Sequence, residues 1–119
     1  MIFTPLSIAG AFRLDPERHR DSRGFFARTY CSREFEAHGL DAAVAQCSVS
    51  FNERRGTLRG MHYQAEPHGE AKTVACLSGA VFDVMVDMRP GSPTYLRWCA
   101  VELSAAEGNA VHIPRGLAH

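Results

Sequence analysis

Apolar and polar residues alternate in short runs along most of the chain, and from Ala45 onward the runs are punctuated by Gly, Pro, Ser and Asn. Runs of this length, rich in Val, Leu, Phe and Cys, predict β-strands, because alternation with period two covers one face of a pleated sheet. The segments so marked are Phe25–Tyr30, Gln46–Phe51, Thr57–Tyr63, Lys72–Ser78, Ala80–Met88, Tyr95–Leu103 and Ala110–Ile113. Only Ser32–His38 has helical character: Ser32 suits an N-cap, Phe35 gives an apolar anchor, and Gly39 stands where a helix ends. Ser78-Gly79 between two apolar runs predicts a tight hairpin, and Arg89-Pro90-Gly91-Ser92-Pro93 a wider connection. The pattern as a whole predicts an all-β sandwich or barrel with one short helix near the N-terminus. No repeat or linker divides residues 1–119, which read as a single domain. So short a sheet has edges to cover, which predicts association with a second subunit.

Composition narrows the partners. Thirteen basic and thirteen acidic side chains balance at neutral pH, so the long basic stripe of a nucleic-acid binder or a polybasic membrane anchor is not expected. No run of eighteen apolar residues occurs, and the opening segment has no basic start and carries Pro5, so neither a spanning helix nor a signal peptide is predicted and the cytoplasm is the expected location. Cys31, Cys47, Cys76 and Cys99 show no C-x-x-C spacing and read as reduced structural residues. Lys72 is the one lysine among the thirteen basic residues.

Reactive side chains concentrate in Arg59-Gly60-Met61-His62-Tyr63-Gln64, followed by His68, Glu70 and Lys72. A histidine that titrates near neutral pH can act as a general base, and a nearby ammonium can offset charge on a substrate oxygen, a pair suited to proton abstraction beside a carbonyl. A packed structural histidine is the plain alternative. Strand parity adds a constraint, since a regular strand would put Arg59 and His62 on opposite faces. Either they act apart or the strand is irregular at Gly60, through a bulge or through close backbone packing.

Two spacings, Gly56 to His62 and Gly108-x5-Pro114-x-Gly116-x2-His119, resemble the signature motifs of the cupin superfamily, jelly-roll β barrels that hold their chemistry inside. Metal-binding cupins carry a second histidine at the position of Gln64, and an amide is a poor substitute for imidazole on a transition metal. A metal-dependent cupin using His62, His68 and His119 is therefore the lesser alternative, beside a non-catalytic binding relic of such a barrel.

A longer resemblance, over nearly the whole chain, is to the metal-free dTDP-4-dehydrorhamnose 3,5-epimerases. It is carried by Asp21-Ser22-Arg23-Gly24-Phe25-Phe26, the stretch from Gln46 to Phe51, Leu58-Arg59-Gly60-Met61-His62-Tyr63-Gln64, Lys72, Val81 to Asp87, Ser92-Pro93-Thr94 and Ile113 to His119, in that order. The resemblance implies an isomerase without cofactor that removes protons from the carbons flanking the C4 ketone of a dTDP-4-keto-6-deoxyhexose, in deoxysugar and polysaccharide biosynthesis. His62 would be the base and Lys72 the enolate stabiliser. Arg23, Phe26, Gln46, Ser48, Arg59 and His119 would contact the nucleotide sugar. The family further implies a homodimer in which the segment bearing Arg23 reaches the neighbouring site. Arg28 and Ser48 stand where the family usually has an acidic residue and an asparagine. The family's tyrosine acid, the acidic partner of its histidine and its base-stacking aromatic all lie beyond the position of His119. The expectation is thus a domain shortened at its C-terminal end relative to the family, with Asp83 the nearest acidic candidate to orient His62.

Overall fold

In the computed structural model, which describes residues 1–119, the chain forms β1 (Ile2–Pro5), β2 (Phe12–Asp15), β3 (Arg18–Asp21), β4 (Gly24–Ala27), α1 (Ser32–Ala37), β5 (Lys72–Ala75), β6 (Ala80–Asp87), β7 (Trp98–Ser104), β8 (Ala110–Ile113) and β9 (Leu117–Ala118). Every strand pairing is antiparallel: β1-β2-β8-β5 forms one sheet, β7-β6-β9 a second, and β3-β4 a separate hairpin. This all-β arrangement with one short helix matches the expected fold class.

β8 shows how two layers settle on the first sheet. All four of its residues are buried, because its two faces meet different partners. Val111 and Ile113 join Met85, Val101, Leu103 and Leu117 in the main core between the two sheets. Ala110 faces the other way and, with Leu14, packs on Phe35 of α1, while His112 on the same face meets the Phe35 ring edge-on at 5.7 Å. A strand covered on both sides reads as a continuous apolar run rather than an alternation, which is why Ala110–Ile113 was legible in full. Phe35 is 2% exposed and is the anchor of the helix; burying such a ring is worth about 1.5–3 kcal/mol. The N-cap is Cys31, with extended backbone and no side-chain bond, and Ser32 is the first helical residue instead of the expected cap. Gly39 ends the helix as expected, at φ +71°.

Three expectations are corrected. Ser78-Gly79 does not make a hairpin, since β5 pairs with β8 and β6 with β7 and β9, so the turn carries the chain from one sheet to the other. Gln46–Phe51 and Thr57–Tyr63 form no ladder. Val49, Phe51 and Leu58 are 78%, 78% and 92% exposed, so these segments have strand composition but, apart from one backbone pair between His62 and His119, no sheet neighbour to complete their hydrogen bonds. The N-terminal strands β1, β2 and β3, and the short β9, went unpredicted; in Phe12-Arg13-Leu14-Asp15 the part-exposed Arg13 binds Asp15 at 2.8–3.0 Å, so charge masks a half-buried strand.

The wide β6–β7 connection is as expected, and Asp87 organises it. Its fully buried carboxylate accepts from the Arg89 backbone N–H at 3.0 Å, the Arg89 guanidinium at 2.8 and 2.9 Å, and the Ser92 and Thr94 hydroxyls at 2.6 Å each. These donors, the Arg89 guanidinium foremost, hold the Asp87 carboxyl far below its ordinary range. The radius of gyration, 14.9 Å, exceeds the roughly 13.5 Å expected of a compact domain this size, in keeping with the projecting β3–β4 hairpin and the exposed 43–64 stretch. All four cysteines are free thiols. No helix is long and apolar enough to cross a membrane.

Candidate active site

Parity places the reactive side chains before any distance is measured. In β5, Val74 packs on the main core, so Lys72, two residues earlier, shares its inward face. In β6 the buried Met85 puts Asp83 inward, and in β9 the buried Leu117 puts His119, two residues on, on the same side. His62 joins them through the backbone: its N–H donates to the His119 carbonyl at 2.6 Å and the His119 N–H donates to the His62 carbonyl at 3.1 Å. Residues that exchange both bonds lie directly opposite, and their side chains share a face. The site is thus the polar end of the interior whose apolar part is the core between the sheets.

The side chains form a chain of polar contacts. Asp83 Oδ1 lies 3.3 Å from His119 Nδ1, His119 Nε2 lies 3.3 Å from Lys72 Nζ, and Lys72 Nζ lies 3.3 Å from Glu70 Oε1. The rings of His62 and His119 are 6.3 Å apart, tilted at 69°. Asp83 is 8% exposed and Lys72 half-buried, whereas His62 is open to solvent.

Gly60 explains how His62 reaches this position. It has φ +92°, and a Cβ there would stand 2.9 Å from the His119 carbonyl oxygen, so both positive φ and close approach favour glycine. The segment is irregular at this point, and close backbone packing is part of the reason.

The remaining predicted residues lie elsewhere. Arg23 and Phe26 are on the β3–β4 hairpin, where Arg23 pairs with Asp21 at 2.6 Å and both side chains are largely exposed. Arg59 donates to Asn52 Oδ1 at 2.6 Å and to the Phe51 carbonyl at 3.0 Å. Gln46 and Ser48 are exposed on the unpaired stretch. Arg28 pairs with Glu34 at 2.7 Å. His62, His68 and His119 are not gathered into a donor set, and no three His, Cys, Asp or Glu side chains converge as metal ligands. Asp83 touches His119 rather than His62, which corrects the expected pairing. Glu70, without a role in the sequence reading, braces Lys72; the signal available was its i, i+2 spacing from the lone lysine.

A family model described as dTDP-4-dehydrorhamnose 3,5-epimerase matches residues 5–119. The chain belongs to this epimerase family. It is 40% identical over 119 residues to a dTDP-4-dehydrorhamnose 3,5-epimerase of Sinorhizobium fredii, covering 100% of this chain and 61% of that protein. The crystal structure of the Elizabethkingia anophelis dTDP-4-dehydrorhamnose 3,5-epimerase superposes with a TM-score of 0.95 at 36% identity, over 100% of this chain and 65% of that one. A 3′-monoepimerase of Streptomyces bikiniensis, solved with dTDP-quinovose, superposes at 0.86 with 43% identity, over 96% of this chain and 58% of the other. The chain therefore spans less than two thirds of the length of these epimerase relatives.

Proposed function

We propose that this chain carries the base and the charge-stabilising group of a nucleotide-sugar epimerase acting on a dTDP-4-keto-6-deoxyhexose. The observation that supports it most is the meeting of His62, Lys72 and His119 on one interior face, within an epimerase family fold. A proton on a carbon beside the C4 ketone is acidic because the electron pair left behind moves into the carbonyl. His62 takes that proton, Lys72 offsets the charge that grows on the ketone oxygen, and return of a proton from the opposite face inverts the carbon. The acid that returns it is not among the side chains gathered with His62.

Arg23, Phe26, Gln46, Ser48 and Arg59 serve as substrate contacts in this reading, with His119 beside Lys72. A guanidinium such as that of Arg23 suits paired phosphate oxygens. In this reading the working form is a homodimer in which the segment bearing Arg23 reaches the neighbouring site, and the exposure of Arg23 and Phe26 on the β3–β4 hairpin supports it. The reaction needs no cofactor, and the cytoplasm, where sugar nucleotides are made, is the proposed location.

Incubation with dTDP-4-keto-6-deoxyglucose in deuterium oxide, followed by proton NMR, tests the reading. Deuterium entering C3, or C3 and C5, is expected and distinguishes single from double epimerisation. Nucleotide-sugar binding by calorimetry without any exchange would overturn it in favour of a binding protein.

A further inference from the structure

We propose that Asp83 is a positioning residue that acts through His119 to aim the Lys72 ammonium, a role that rests on the reading of Lys72 as the group facing the substrate oxyanion. The chain Asp83, His119, Lys72, Glu70 has one consistent assignment of protons. A neutral imidazole has one donor and one acceptor, and an ammonium has donors only. Lys72 therefore donates to His119 Nε2, and the imidazole proton sits on Nδ1, where the Asp83 carboxylate accepts it. The opposite tautomer would point an N–H at the ammonium and a lone pair at the carboxylate. An imidazolium would place a second cation 3.3 Å from Lys72 Nζ.

The groups facing His119 from its surroundings agree with this assignment. Asp83 from β6 and Lys72 from β5 bracket the ring, Glu70 balances Lys72 from the other side, and His62 presents only its own ring at 6.3 Å. Asp83 is buried, and His119 is its hydrogen-bonded side-chain partner. With His119 taking one ammonium proton and the Glu70 carboxylate paired with the ammonium at 3.3 Å, the head of Lys72 is held in one place with N–H left over for a substrate oxygen, as an oxyanion donor requires. Asp83 does not touch the substrate; it sets the tautomer that sets the donor.

The test is the nitrogen-15 spectrum of the histidine rings in the full chain at neutral pH. The wild-type protein is expected to show His119 protonated on Nδ1. Lys72→Met should leave that tautomer in place, because Asp83 dictates it. Removing both groups that select it, in Lys72→Met/Asp83→Ala, should release the ring to a mixture of tautomers, and Asp83→Asn alone, whose neutral amide holds the ring less firmly, should lower the deuterium-exchange kcat by roughly tenfold or more with little change in KM. A wild-type His119 carrying its proton on Nε2, or both protons, would overturn the proposal, as would a Lys72→Met protein that loses the Nδ1 proton or an Asp83→Asn protein that exchanges at the wild-type kcat. Should Asp83→Asn fail to fold, the wild-type and Lys72→Met spectra decide alone. Absence of exchange in the wild type would sink the epimerase reading without touching the tautomer result.

Discussion

The α-carbon of Gly60 lies so close to the carbonyl of His119 that a methyl group there would come within 2.9 Å of its oxygen. Because φ at Gly60 is also +92°, Gly60→Ala meets both a steric and a conformational penalty. The segment has no sheet neighbour beyond the His62–His119 pair, so the response is expected to be local. Hydrogen exchange at the His62 and His119 amides should rise to that of open chain while the thermal midpoint hardly moves. Retained protection at both amides would contradict this.

Asp87 should set stability at acid pH. Its carboxyl is held below the ordinary value of 3.8, so the unfolded chain binds a proton at a pH where the folded chain does not. The contribution is present in full above about pH 4 and fades as pH falls through the folded value. Asp87→Ala leaves the Arg89, Ser92 and Thr94 donors without their acceptor. With Arg89 part exposed, the cost is expected at roughly 2–4 kcal/mol, read by urea unfolding at pH 7, with the difference from wild type shrinking toward pH 2.

His112 governs a second, milder window. It is 4% exposed, bonded to Thr73 Oγ1 at 3.1 Å, and burial pushes its pKa below 6.5. Folding thus favours the neutral ring, and stability is complete above about pH 6.5 and declines as pH falls toward the lowered folded value. Urea midpoints measured from pH 7.5 to 5 should fall in the wild type and stay flatter in His112→Gln, whatever the absolute cost of that change.

Lys72→Met keeps the length of the side chain and removes its charge. Loss of one preorganised donor to an oxyanion typically costs about 10²–10³ in rate. Deuterium wash-in is expected to fall by that order with nucleotide-sugar affinity changed far less. A rate within threefold of wild type would remove Lys72 from the mechanism.

How much of this was legible in the sequence follows from what alternation can and cannot encode. Ala110–Ile113 was readable because burial on two faces dictates its pattern, and the long β6 because its Val and Phe residues carry strand propensity, although its buried positions are Asp83, Met85 and Asp87. Gln46–Phe51 and Thr57–Tyr63 carry the same pattern without a ladder, because composition registers a pleated, half-buried surface and not the presence of a neighbour. Strand direction between sheets was hidden at Ser78-Gly79, since a turn composition says nothing about which strand follows it into which sheet. At the site, His62 and Lys72 stood out by residue type and motif. The pairing of Asp83 with His119 did not, because parity puts Asp83 on the inner face but leaves open that β9 lies beside β6 and so which of two histidines meets it.

Proton removal by His62 is the step on which the proposed chemistry depends. Deuterium wash-in at C3 and C5 of dTDP-4-keto-6-deoxyglucose, measured by NMR for the wild-type chain and for His62→Ala, tests it most directly. Exchange is expected in the wild type and a loss of about 10²–10⁴ in the variant, with nucleotide-sugar binding retained. Exchange that persists at the wild-type rate in a folded His62→Ala protein would contradict it.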